Sequence, residues 1–211
     1  MRKGLFITFE GCDGSGKTTQ INFLAQHCRD LGYKVLLTRE PGGTSISENI
    51  RAVILDPQNK ELAPTTEALL YAASRAQHVA EVIKPALSEG KIVLCDRYID
   101  SSIAYQGYGR DLGDDVRIIN EFAIQGLSPD ITFFLDIKPV MGLARIKKSG
   151  DFDRIEKEAI DFHEKVYSGY MELIKKNPLR FIVVDGNASK DILASQIKEL
   201  FEKWFSTLNC C

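Results

Sequence analysis

The sequence has no apolar run approaching the roughly 20 residues that cross a bilayer, and its opening stretch, "MRKGLFITFE", lacks the long apolar segment and cleavage site of a secretory signal. Both absences point to a cytoplasmic protein with no membrane partner. An excess of charge of one sign is missing too: 27 Lys and Arg against 29 Asp and Glu leave a formal net charge of −2. General nucleic-acid or membrane binders carry a basic excess spread over a face, so neither partner is expected and any anion site must be local. Cysteine is sparse. Cys12, Cys28, Cys95, Cys210 and Cys211 are odd in number, follow no metal-type spacing and suit reduced thiols better than a disulfide framework. The Cys210-Cys211 pair has no polybasic stretch before it, so it reads as a frayed tail rather than a lipid-anchor site. No Pro/Gly/Ser-rich linker, repeat or low-complexity stretch divides the chain.

With 211 residues, 44% of them hydrophobic, what is present suits one domain, 1–211, able to bury a core. Five runs are short, β-branched or aromatic and nearly continuous in apolar character: "LFITFE" (5–10), "KVLLTR" (34–39), "KIVLCD" (91–96), "ITFFLDI" (131–137) and "RFIVVD" (180–185). Strands buried on both faces read this way. Helical patterns lie at 18–31, 65–89, 114–125, 140–148, 157–176 and 189–206. The fold class is therefore α/β: a three-layer α/β/α sandwich, a five-stranded parallel sheet with helices on both faces. Right-handed crossovers gather ligands at the carboxyl ends of the strands, so the segments that follow each strand are where to look.

The first such segment, Gly11-Cys12-Asp13-Gly14-Ser15-Gly16-Lys17-Thr18, fits G-x-x-x-x-G-K-[ST] between a buried strand and an amphipathic helix. Its glycines let backbone N–H groups turn inward around a phosphate, and the helix N-terminus adds its dipole. Lys17 reaches the outer phosphates, and Thr18 can ligate Mg²⁺. The motif means nucleoside triphosphate and leaves three classes open. A GTPase switch needs N-K-x-D after a later strand, and "GNASKD" (186–191) has the wrong spacing. A mechanical or transport ATPase usually needs a longer chain. A small nucleotide kinase needs a second anion site facing the first.

That site has candidates in "TREPGGT" (38–44) after the second strand and "DRYIDSSIAYQG" (96–107) after the third. Arg39 and Arg97 end their strands with charge, and Pro41-Gly42-Gly43 forces a turn. These stretches, with "FEGCDGSGKTT", "LLYAASRAQH" and "DFDRIE", occur in an order and over a span that closely resembles the thymidylate kinase family. The resemblance implies phosphoryl transfer from ATP to dTMP, giving dTDP, with Mg²⁺, in a homodimer. A kinase for another deoxynucleoside monophosphate is the neighbouring reading, and a GTPase-like switch the more distant one.

The resemblance also implies roles. Arg97 would hold the monophosphate, assisted by Arg51 in "ENIRAVIL"; guanidinium forks suit phosphate oxygens. Tyr71 would stack on the thymine and Arg75, one helical turn on, would meet its ring edge. Ser102, Tyr105 and Gln106 would contact the base and sugar side, and Glu40 and Pro41 would shape the pocket. Asp96 ends a strand as a Walker-B-like carboxylate would, holding Mg²⁺ directly or through water; Asp136 is left without a role. Asp13, an acid beside phosphates, would accept from the sugar 3′-hydroxyl.

Such chemistry rests on positioning and cations, so His27, His78 and His163, on helices with no paired acid in a motif, read as structural. One cation is still needed beyond Lys17. The stretch "GLARIKKSGDFDRIE" (142–156) offers Arg145, Lys147, Lys148 and Arg154 around a Ser149-Gly150 break, as a lid closing over ATP would. The chain resembles the lid-arginine kind of the family, common in bacteria. Arg154, beyond the break, is the first choice for the catalytic cation, with Arg145 beside it. An arginine introduced at Gly14 would partly restore the alternative, loop-arginine arrangement unless strain at that glycine prevents it.

Overall fold

All five runs form strands: β1 Leu5–Glu10, β2 Val35–Arg39, β3 Ile92–Asp96, β4 Ile131–Asp136 and β5 Phe181–Asp185. They lie in one parallel sheet of order β2-β3-β1-β4-β5 in the computed structural model, which describes residues 4–147 and 153–208. Lys148, the Ser149-Gly150 break and the Cys210-Cys211 pair lie outside the described residues.

Continuous apolar character follows from what covers the sheet. Alternate residues point to opposite faces. Ile7 and Phe9 of β1, Ile92 and Leu94 of β3 and Phe133 of β4 pack with α1 (Lys17–Asp30) and α9 (Lys190–Leu208), through Ile21, Leu24, Leu193, Ile197 and Phe201. The opposite face, with Phe6, Val93 and Cys95, meets Val79, Ile83 and Leu87. There too Phe134 and Phe181 pack with Tyr105, Phe162, Val166 and Tyr170 of the segment after β3 and of α8 (Ile160–Lys176). Glu10, an even residue of β1, faces this second layer.

Two helical segments lie outside the six helical patterns, the first of them the helix that the resemblance implies for Arg51. α2 (Ser45–Leu55) starts where the Thr44 side chain accepts the Ser47 N–H at 3.0 Å, an N-cap. After β3, α5 (Ile99–Ser102) widens into a π-helical stretch, Ile103–Gly109. The long pattern at 65–89 is α3 (Pro64–His78), a π-helical turn (Val79–Ile83) and α4 (Lys84–Ser88) in succession. The wide turn precedes Pro85, which has no N–H to donate to a regular ladder. Next come α6 (Asp115–Ala123) and α7 (Pro139–Ile146).

The sheet order puts the carboxyl ends of β1 and β3 side by side, with Phe9 in register with Asp96. From β1 the chain leaves toward β2, and from β3 toward β4. The two connections part onto opposite faces of the sheet, α1 on one and the segment after β3 on the other, and leave a crevice, as at the switch point of other doubly wound sheets. Among the described residues, no helix is long and apolar enough to cross a membrane.

Candidate active site

A cavity of about 500 Å³ opens at that crevice, lined by the phosphate loop, the residues after β2 and β3, Tyr71 of α3 and Arg145 of α7. Gly16 takes a left-handed φ of 92°, which lets the loop turn straight into α1 at Lys17. Lys17 is buried, and its Nζ donates to the carbonyls of Gly11 (3.0 Å) and Cys12 (3.0 Å) and to Ser15 Oγ (3.2 Å). Burial, then the Arg97 charge, lower its pKa, against Asp96 and Asp13. Thr18 Oγ1 donates to Asp96 Oδ2 at 2.7 Å. Burial pushes the Cys12 thiol up to about 12, so this loop cysteine is no nucleophile at neutral pH.

Arg97 is the centre of the second half of the site. Its φ of 68° is left-handed, rare for a side-chain-bearing residue. Nη1 donates to the Gly11 carbonyl (3.0 Å), Ser101 Oγ (3.1 Å) and Tyr170 OH (3.3 Å). Nη2 donates to Asp13 Oδ1 and to Tyr105 OH (3.2 Å), while the Tyr105 hydroxyl donates to Asp13 Oδ2 at 2.7 Å. Burial alone would raise the Asp13 pKa; Arg97, Lys17 and the Tyr105 hydroxyl outweigh it and hold the carboxyl below its ordinary value. Asp13 thus sits between two cations, so its charge is no obstacle to a phosphate.

The wall after β2 contains a cis Glu40-Pro41 peptide, and Arg51 Nη1 donates to the Pro41 carbonyl at 2.8 Å. Tyr71 and Arg51 both border the cavity. Arg75 does not. It is 2% exposed, and Nε donates to Glu40 Oε2 (2.8 Å), Nη1 to Ser102 Oγ (2.9 Å) and Asn120 Oδ1, and Nη2 to the Tyr98 carbonyl (2.9 Å). It reaches the cavity only through Ser102 and Glu40, both of which line it. Gln106 Nε2 donates to Glu67 Oε1 at 2.9 Å, and its buried Oε1 has no partner among the described residues.

The lid stretch differs from expectation. Arg154 is 9% exposed, with Nε donating to the Ile54 carbonyl (2.7 Å) and Nη2 to Glu67 Oε2 (2.6 Å). The structure brings Arg145, not Arg154, to the cavity; Arg145 is exposed and donates from Nη1 to the Gly186 carbonyl at 3.1 Å. An arginine at Gly14 is excluded: φ is +73°, and a Cβ there would lie 2.1 Å from the Gly142 carbonyl oxygen of α7. Two of the three histidines have acid partners brought from distant parts of the chain. His78 Nδ1 lies 2.9 Å from Glu40 Oε1 and His27 Nε2 3.0 Å from Glu202 Oε1. Neither borders the cavity. Asp136 accepts from Tyr167 OH at 2.9 Å.

One residue the sequence reading missed is Glu67, which accepts Gln106, Arg154 and Arg110 Nη2 (3.1 Å). Its signal was the four-residue spacing of Glu67, Tyr71 and Arg75, which puts all three on one face of α3.

The sequence profile of the Thymidylate kinase family matches residues 9–197. The chain belongs to the thymidylate kinase family. It is 53% identical over 199 residues to the thymidylate kinase of Lactobacillus acidophilus, covering 92% of each chain. It is 50% identical over 201 residues to that of Clostridium novyi, covering 94% of this chain and 98% of the relative. The crystal structure of thymidylate kinase from Ehrlichia chaffeensis superposes with a TM-score of 0.78 at 35% identity, over 94% of this chain and 98% of that one. The match spans both halves of the cavity, from the phosphate loop to the lid stretch.

Proposed function

We propose that the protein catalyses ATP-dependent phosphorylation of dTMP to dTDP, with the two nucleotides laid end to end across the crevice between β1 and β3. The observation that carries this reading is that Lys17 and Arg97 both donate to the Gly11 carbonyl oxygen, at 3.0 Å each. Two cations, one from the phosphate loop and one from the strand beside it, converge where a donor and an acceptor phosphate would meet. The acceptor oxygen forms a bond to the γ-phosphorus as the bond to the ADP oxygen breaks. A phosphate acceptor is already anionic and needs no general base, in keeping with a cavity that no histidine lines among the described residues.

On the ATP side, the loop N–H groups and the α1 N-terminus would take the phosphates as Lys17 moves off its loop carbonyls. The Thr18 hydroxyl and Asp96 carboxylate, 2.7 Å apart at the loop mouth, are oxygen donors that suit Mg²⁺. No three-residue metal cluster exists among the described residues, so phosphate oxygens and water would complete the shell. When bound, the ion would neutralise charge on the outer phosphate oxygens.

On the acceptor side, Arg97 and Arg51 take the monophosphate, Asp13 and Tyr105 face the sugar, and the unpartnered Gln106 Oε1 accepts from the base. Glu40, Pro41 and Ser102 form the wall, with Arg75 setting Ser102. Tyr71 stacks on the ring. Tyr71→Phe is expected to change the KM for dTMP little, and Tyr71→Ala to cost about 1–3 kcal/mol, the range for one base–aromatic stack. Equal losses from both would assign the effect to the hydroxyl and end the stacking role.

For the lid cation, Arg145 is the better candidate because Arg154 is committed to Glu67. Arg145→Ala should lower kcat by a factor on the order of 10³, as removal of an arginine finger does, with little change in the KM for dTMP. Arg154→Ala should act on stability instead. Arg110 and Gln106 still satisfy Glu67, so the loss measured by urea denaturation should fall below the roughly 3–5 kcal/mol of an orphaned buried charge. A stable Arg154→Ala variant with kcat lost would reverse the assignment.

Exposed apolar side chains on the neighbouring helices α2, α3 and α6, Val53, Leu69, Ile118 and Phe122 (88% exposed), support a homodimer. Sedimentation of the protein as a monomer at micromolar concentration would refute it. The reaction itself is tested by ADP release with dTMP, dUMP, dCMP or no acceptor. Turnover preferring dTMP is expected; equal release without acceptor would describe a hydrolase, and preference for another monophosphate would move the substrate.

A further inference from the structure

Glu10 is the last residue of β1, wholly buried, and borders neither half of the cavity. Its two oxygens are nonetheless fully used. Oε1 accepts the backbone N–H of Tyr98 at 2.7 Å and of Ser101 at 3.3 Å. Oε2 accepts the hydroxyls of Ser101 at 2.6 Å and Tyr170 at 2.8 Å. Those same two hydroxyls, 2.9 Å from each other, accept from Arg97 Nη1.

An ionised carboxylate can only accept, so both hydroxyl protons turn toward Glu10 and both oxygens present lone pairs to the guanidinium. A neutral carboxyl would offer a donor of its own. One hydroxyl would then have to accept from Glu10 and turn its proton to the other hydroxyl or toward Arg97. The charge on Glu10 therefore decides whether both oxygens are polarised as acceptors for Arg97. The amides held by Oε1 belong to the residues that follow Arg97, whose left-handed backbone needs such support.

We propose that Glu10 is a positioning residue for phosphoryl transfer, polarising Ser101 and Tyr170 and through them aiming the Arg97 guanidinium at the acceptor phosphate. This rests on the reading of Arg97 as the acceptor-phosphate residue. The groups facing Glu10 are Cys95 of β3, Arg97 and Tyr98 of the following turn, Asp100 and Ser101 of α5, and Tyr170 of α8. Arg180 lies behind Asp100, paired with it at 2.6 Å. Burial first, and Asp100 next, push the Glu10 carboxyl up to about 7, against the lowering by Arg97 and the two hydroxyls. As pH falls through that value Glu10 gains its proton, so its hold on Arg97 belongs to the alkaline side.

Glu10→Gln is a neutral isostere of the protonated form. At pH 8.5 it should raise the KM for dTMP roughly tenfold, the scale of one charge-assisted hydrogen bond, with the KM for ATP unchanged. The ratio of wild-type to variant kcat/KM for dTMP cancels the titration of the substrate's own phosphate. It should fall from about ten at pH 8.5 toward one at pH 6. A ratio flat with pH, or an equal rise in the KM for ATP, overturns the proposal. Tyr170→Phe keeps the ring packed on Phe134 and removes one hydroxyl relay; it should raise the KM for dTMP in the same selective way, and an unchanged value overturns the relay even if Glu10→Gln does not fold. Arg97→Ala, run alongside, separates the two readings: an unchanged KM for dTMP there would fault the Arg97 assignment, whereas a raised one with Glu10→Gln unaffected would fault Glu10 alone.

Discussion

Lys17→Ala is expected to lower kcat by about 10³ or more while leaving the thermal transition close to wild type. Removing one preorganised donor aimed at developing charge costs about 10²–10³ in other enzymes, and an ammonium on the outer phosphates of ATP carries a full charge besides. The fold should survive because the side chain packs on the loop and not on the core. Its three partners are Gly11, Cys12 and Ser15, and Gly11 keeps a donor in Arg97. The apolar face of α1, with Ile21, Leu24, Ala25 and Cys28, is untouched. Lys17 caps the carbonyls of Gly11 and Cys12, so a reach to the outer phosphates of ATP would draw it outward. The check is ADP release by a variant shown to be folded by circular dichroism; near-normal release would end the phosphate-loop assignment.

The phosphate loop was legible because its partners are contiguous. Strand, glycines, lysine and threonine occupy one short stretch, and the geometry follows from backbone rules alone. The strands were legible for a related reason: both faces of the sheet are covered, so every position selects for apolar character. The helical segments outside the six patterns lack that signal. In α2 the residues at apolar helical spacing include Ile46 and Val53, which are exposed, while the buried positions are Ser47 and Ile54, so its apolar stripe is not the face that packs. From 103 to 109 the helix is π-widened and carries glycines. A Cβ at Gly109 would lie 2.6 Å from the Phe162 ring, so that glycine answers to packing and not to a turn.

The site residues divide in the same way. A charge can be read from sequence, but its partner across the fold cannot. Arg154 and Arg75 looked available for ligands, yet Glu67 holds the first and Glu40, Ser102 and Asn120 hold the second. Glu10 meets Tyr170, 160 positions further on, and nothing in the local pattern announces that contact. The lid arginines show the consequence. Its place beyond the Ser149-Gly150 pair suggested Arg154, whereas its ion pair with Glu67 holds it against α3, next to the Arg110–Glu158 pair at 2.7 Å.

Arg97→Ala should reduce kcat/KM for dTMP by a factor on the order of 10³, through both a higher KM and a lower kcat. The guanidinium would bind the acceptor phosphate and set the angle at which its oxygen meets the γ-phosphorus, and misplacement by about 1 Å costs some 10²-fold on its own. Charge adds to this. Without Arg97, Asp13 keeps the Tyr105 hydroxyl and its neighbour Lys17 but loses its ion pair, so a carboxylate with one cation fewer faces the incoming dianion. Arg97→Lys should restore binding in part and alignment hardly at all, because an ammonium is a point charge and cannot fork across two phosphate oxygens while holding Gly11 and Asp13. The predicted signature is therefore a KM that recovers more than kcat in the lysine variant, read from initial rates with dTMP varied at saturating ATP. Unchanged dTMP kinetics in Arg97→Ala, with only the KM for ATP raised, would exchange the two nucleotides between the halves of the crevice.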